Sequence, residues 1–308
     1  MNILITGGTV FVSRFCAEYF VAKGHDVFVL NRNSSVQSSG VTLLNCDRHD
    51  FTALQNTLSG INFDAVIDVT AYTADDVEKL CLAINKRPSC YILISSSAVY
   101  PENALQPFGE NTTVGINKIW GDYGTNKIAA ENKLLDYYPN AYILRPPYLY
   151  GQMNNLYREA FVFECAERNL PFYLPKSSTT RLHFFHIENL CHIIQTIIEK
   201  HPDSHILNVG NPASIHIKDW VVLCYKAVND NKPIFYDVDT TLHSQRSFFP
   251  FHDYQYELDV TAMMRILDKE KLIDMQTGLK LSYDWYKNNR NKVNSKPYLK
   301  YIEENFKS

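Results

Sequence analysis

The chain has 308 residues, 45% of them hydrophobic, enough to bury a large core; that length suits one large domain with an appended lobe. With 30 Lys and Arg against 33 Asp and Glu, the net charge is -3 and no block of like charge stands out, so nothing supports a strongly basic nucleic-acid face and nucleic acid is not an expected partner. No apolar run approaches membrane-spanning length and the amino terminus enters a strand at once, so the expectation is a cytoplasmic protein with no membrane partner.

The seven cysteines are odd in number, contain no CxxC and sit mostly in apolar runs, which reads as buried free thiols with no metal site. Strand-like runs follow in order: NILIT (2–6), DVFVLN (26–31), VTLLN (41–45), DAVIDV (64–69), CYILIS (90–95) and AYILR (141–145). Between them lie helical patterns, among them about 11–23, FTALQNTL, ADDVEKLCLAIN and the segment around Tyr123. Strands apolar on both faces and separated by helices predict an α/β fold, a doubly wound parallel sheet of Rossmann type, over residues 1–150. After that the alternation thins. NNLYREAFVFECAERN reads as a helix, and RLHFFHI and HILNVGN suggest returns to the sheet near 181–211. Residues 151–180 and 212–308 are expected to form a smaller substrate lobe. In it, SFFPFHDYQY would be core or pocket lining.

The turn after the first strand, ITGGTVFVSR, opens a helix where a dinucleotide pyrophosphate binds in this fold, on backbone N–H groups at the helix N-terminus. The expected G-x-x-G-x-x-G holds Gly7, Val10 and Ser13, with an additional Gly8. Val10 puts a Cβ where backbone should approach phosphate; a plain βα turn that binds nothing is the competing reading. After strand two come Asn31 and Arg32 with no acidic residue. An acid there would hold the ribose 2′-OH of NAD, whereas Arg32 suits the 2′-phosphate of NADP, so NADP is favoured over NAD. Asp47, after strand three, would accept from the adenine amino group or cap the next helix. Asp68 sits in an apolar strand and reads first as a buried polar anchor.

CYILISSSAVY ends the fifth strand with serines at the carboxyl edge of the sheet, and GDYGTNKIAAENKLL places Tyr123 and Lys127 on one helical face. Alone, Tyr and Lys at that spacing mark an ordinary amphipathic helix. In order, TGGTVFVSR, SSSAVY, YGTNK, LRPPYLYG, HFFHIENL and LNVGN resemble the extended short-chain dehydrogenases/reductases of the NAD-dependent epimerase/dehydratase family over nearly the whole chain. The wording LNR, CDRHD and VIDVTAYT looks closest to a subgroup with relatives resembling chloroplast stem-loop binding proteins.

The resemblance implies roles. Tyr123 would pass a proton to or from a substrate oxygen, aided by Lys127 and the nicotinamide; Lys127 would also hold the nicotinamide ribose; Ser96 would bond the same substrate oxygen. Gly7, Gly8, Thr9, Val10, Phe11, Val12, Asn31, Arg32, Asp47, Tyr123 and Lys127 would hold the cofactor, and Ser97, Tyr148 and Arg181 the substrate. Tyr148 stands where the family's RPxNxYG carries an Asn, which puts a nucleotide-sugar substrate in doubt. Ser97-Ala98 replaces the Asp-Glu of 4,6-dehydratases, so reduction or epimerisation is favoured over dehydration. The expected function is NAD(P)-dependent oxidoreduction or epimerisation of a sugar-like small molecule. The alternative is a non-catalytic cofactor-binding protein that contacts RNA or a protein partner. A homodimer through the Tyr123 helix and the helix near 73–84 is expected by analogy.

Overall fold

In the computed structural model, residues 1–176 and 180–306 are described, so residues 177–179 and 307–308 of the expected lobe lie outside them. The first half alternates strand and helix: β1 (Asn2–Thr6), α1 (Phe11–Ala22), β2 (Asp26–Asn31), β3 (Val41–Asn45), α2 (Phe51–Leu58), β4 (Ala65–Asp68), α3 (Ala74–Ala83), β5 (Cys90–Ile94), α4 (Asp122–Tyr137) and β6 (Tyr142–Arg145). Shorter pieces follow: β7 (Tyr148–Tyr150), α5 (Glu159–Glu167), β8 (Phe172–Pro175), β9 (Arg181–Leu182), β10 (Phe184–His186), α6 (Ile187–Lys200), β11 (Ile206–Asn208), β12 (Ile215–His216), α7 (Ile217–Val228), β13 (Phe235–Val238), α8 (Thr261–Ile266), α9 (Met275–Asn288) and α10 (Tyr298–Asn305).

Seven strands form one parallel sheet in the order β11-β6-β5-β4-β1-β2-β3. Side chains alternate across it, as strand geometry requires. Ile3, Ile5, Ile67 and Ile92 face α1 and α6 in one apolar cluster, while Leu4, Val66 and Leu93 face α2, α3 and α4 in another. Both faces are covered, which is why β4, β5 and β6 are buried at every residue. Local chemistry fixes the helix starts: Asp50 caps α2 by accepting from Ala53 N, and Thr73 and Asp76 form a reciprocal capping box on α3.

Two expectations are corrected. RLHFFHI does not rejoin the sheet: β9 pairs antiparallel with β12 and β10 pairs with β7, and only β11 returns, beside β6. The helix expected over 154–169 is α5 alone, because Asn154 is spent in a loop, donating to Glu159 and accepting from Leu156 N. The aromatic run is core: Phe248, Phe249 and Phe251 are buried, and Phe251 meets Trp220 edge-on while Trp220 stacks on Phe184 at 5.1 Å.

Candidate active site

The turn from β1 into α1 lies against the end of β2. Gly7 donates to Leu30 O at 2.8 Å and sits at φ +95°, where a Cβ would come within 2.7 Å of Ser13 Oγ. Only glycine fits, so the backbone is left open on its other side. Ser13, standing for the third glycine, is accommodated: its Oγ donates to Val10 O at 3.0 Å. Val10 is the N-cap with extended backbone and offers no side-chain bond to the first turn of α1, whose N–H groups are thus left for a ligand. Phe11 enters the helix at φ +35°, a strained value for a non-glycine residue of the kind that collects at ligand sites. Gly8 is buried against Val29 rather than facing the groove.

From this turn a groove of about 490 Å³ runs over the ends of β2 and β3, lined by Gly7, Thr9, Asn31, Arg32, Asp47 and Tyr72 among others. Asn31 holds the turn in shape, donating to Gly7 O at 2.7 Å and accepting from Asn33 N at 2.9 Å. Asp47 caps the local backbone at His49 N. Arg32 is exposed, and no acidic side chain among the described residues pairs with it.

A second cavity, about 540 Å³, continues from the groove through Gly7, Thr9, Thr70 and Tyr72 and reaches the ends of β4, β5 and β6. Val10, Phe11, Val12, Ser96, Tyr123 and Lys127 all line it, so the residues that the sequence separates widely are brought together here. Lys127 is 2% exposed and donates to Ala71 O at 2.8 Å and Ile94 O at 3.0 Å, with its Nζ 4.9 Å from the centre of the Tyr72 ring. Burial brings its ammonium down to about 8. Tyr123 lies with its ring 5.9 Å from that ammonium. Burial pushes its phenol above the ordinary tyrosine range, while a hydrogen bond with Ser96 and the charge of Arg158 pull it back. Arg158 lines the same cavity and is a second cation there besides Lys127. Close approach makes the pair possible: a Cβ on Gly124 would come within 2.5 Å of Ala98 O, so glycine lets α4 press onto the Ser96 loop.

Two buried polar networks hold these strand ends. Asp68 takes a bidentate pair from Arg48, at 2.9 and 3.1 Å, and accepts from Thr6 and Tyr91, which makes it the anchor expected. Glu131 of α4 receives Arg145 and the Ser95 hydroxyl, and Arg145 continues to Tyr100 and Asn208.

Three expected substrate contacts stand outside the cavity. The Ser97 hydroxyl is buried, donating to Pro146 O and receiving Tyr256. Arg181 is spent on Ser214 and Glu257. Tyr148 is 8% exposed and packs behind the wall against Phe184, Phe251 and Tyr256. The lobe instead contributes Asn155, Leu156 and Arg158, none of them singled out by sequence. The only trace of Arg158 in the sequence is a charge at the head of the apolar run REAFVFECA, which ordinarily marks a surface helix end.

Residues 3–210 match the NAD dependent epimerase/dehydratase family. The chloroplast stem-loop binding protein of 41 kDa b from Arabidopsis thaliana is 25% identical over 301 residues, 92% of this chain and 78% of that protein. The structure of UDP-glucose 4-epimerase with UDP-glucose from Thermotoga maritima is similar at a TM-score of 0.77 and 17% identity, over 94% of this chain and 100% of that one. The dTDP-glucose 4,6-dehydratase of Bacillus anthracis in complex with NAD is similar at 0.76 and 16%, over 95% and 98%.

Proposed function

The chain belongs to the NAD dependent epimerase/dehydratase family, and on that premise we propose that it is a nicotinamide-dependent enzyme acting on an alcohol or carbonyl carbon of a sugar-like small molecule. The observation that carries this reading is the convergence of Ser96, Tyr123 and Lys127 with the glycine turn on one cavity. The residues present fit the cofactor: Gly7 leaves backbone open, the first turn of α1 lacks a side-chain cap, and groove and cavity join end to end. A bound nicotinamide supplies the hydride-exchanging centre. Tyr123 Oη then exchanges a proton with the substrate oxygen, and Ser96 Oγ fixes that oxygen by a hydrogen bond. Lys127 spends two N–H bonds on Ala71 O and Ile94 O, which leaves the third with which it would hold a ribose hydroxyl of the cofactor.

Arg32, without an acidic partner among the described residues, supports NADP over NAD. Calorimetric titration with both oxidised and both reduced cofactors tests the reading: NADP should bind tighter, and Arg32→Ala should lose about tenfold for NADP and little for NAD, from a charge-assisted pair worth about 1.5 kcal/mol or more. Tyr123→Phe should keep cofactor affinity and lose about 100-fold or more in turnover. Failure of the folded protein to bind any of the four would refute the proposal. A second reading, RNA binding, draws on the similarity to the Arabidopsis stem-loop binding protein; the net charge of -3 weighs against it. Retention on a stem-loop RNA with steep salt dependence would favour it.

A further inference from the structure

Arg158 immediately precedes α5 and lines the catalytic cavity opposite the glycine turn. Its guanidinium lies 4.8 Å from the centre of the Tyr148 ring, a flat aromatic platform that fixes the plane of the fork. No carboxylate among the described residues bonds to it. The neighbouring Glu159 does not serve: its buried carboxyl is taken by Asn154 Nδ2 at 2.7 Å. The nearby charge makes matters worse, because Arg246 lies close enough to oppose the charge on Arg158 as well as on His252. Burial above all, and Arg246, weaken the Arg158 cation, while Tyr148, the charge of the adjacent Glu159 and Tyr123 favour it. Arg158 is partly buried, and an arginine withdrawn from water is normally paired. Here the missing partner faces the cavity.

We propose that Arg158 binds an anionic group of the substrate, a carboxylate or a phosphate ester carried close to the reacting carbon, and thereby selects acidic over neutral sugar-like molecules. Arg158 and Tyr123 line the same cavity, so an anion held by Arg158 would share the space of the proton-transfer position. This rests on the Ser96–Tyr123–Lys127 reading for its catalytic meaning, although the anion site itself does not.

The test titrates the cofactor-loaded protein, and the protein without cofactor, with glucuronate, glucose 6-phosphate, inorganic phosphate and neutral glucose. The anions should bind more tightly than glucose, and whichever of glucuronate or glucose 6-phosphate binds tighter identifies the anion. Arg158→Gln should weaken the anions about 10- to 100-fold, the loss expected for charge-assisted bonds, with glucose unchanged; Arg158→Lys should lose less. Arg181→Gln, whose guanidinium is already spent outside the cavity, should match the unmodified protein. Equal affinity for anions and glucose, no anion binding, or an Arg158→Gln loss shared by glucose would overturn the proposal. Failure to load cofactor would sink the functional reading instead, and Arg158-dependent phosphate binding would still be expected.

Discussion

Replacing Lys127 with methionine tests the electrostatics of the site without any knowledge of its substrate. The ammonium is 2% exposed, and burial lowers its pKa from 10.5 to about 8. The unfolded chain therefore holds the Lys127 proton between about pH 8 and pH 10.5 while the folded chain releases it. Folding stability must rise with pH through that window, and the cost of burying the cation is fully present below pH 8. At 1.36 kcal/mol per pKa unit, the gain between pH 7 and pH 10 comes to about 2.5 kcal/mol. Urea unfolding of the unmodified protein and Lys127→Met at both pH values isolates this term, because the other groups that titrate there cancel in the double difference. The loss of the bonds to Ala71 O and Ile94 O offsets all measurements on the variant equally and also cancels. A double difference within about 0.5 kcal/mol of zero, the usual noise of additive sites, would refute the claim that a desolvated cation sits there.

Asp68→Asn should cost about 3 kcal/mol, since it removes the bidentate partner of the buried Arg48 guanidinium and leaves it only the longer ion pair with Asp76 at 3.7 Å; chemical denaturation reads it directly. Burial pushes the Asp68 carboxyl up, but Arg48, Thr6 and Tyr91 outweigh it and hold it below the usual carboxylate range. The Asp68 contribution is therefore complete above the unfolded carboxylate pKa of about 4 and lost as pH falls below it, so the variant should show a shallower acid limb. Gly124→Ala should push α4 off Ala98 O and weaken cofactor binding about tenfold, with far-UV circular dichroism unchanged. Unaltered affinity would mean that the Tyr123–Ser96 approach does not depend on that glycine.

The sheet was legible because its signal is local: β1 to β6 each read as an apolar run of strand length, and parallel pairing follows from the helices between them. The turn at Gly7 and the Tyr123–Lys127 face were legible for the same reason, their residues being written at fixed spacing. What failed was information carried only by tertiary packing. RLHFFHI has strand character but pairs with short partners near 148 and 215 that nothing in its own sequence names. Arg181 and Arg158 are equivalent as letters; only the fold gives one of them Ser214 and Glu257 and leaves the other facing the cavity. Arg48 escaped notice because its role depends on Asp68, 20 residues away.

The polar chain from Glu131 through Arg145 and Tyr100 to Asn208 does not stop at the sheet: Asn208 Nδ2 donates onward to Phe108 O and Asp259 O. A hinge that swung the lobe away from the sheet as a rigid door would have to break the bond to Asp259 O at the end of this run, together with the paired bonds from Phe108 N to Glu257 O and from Asp259 N to Phe108 O. Entry and exit of ligands must then be the work of local loop and side-chain movement at the cavity mouth, and turnover should be indifferent to cross-links that tie the two parts together away from that mouth.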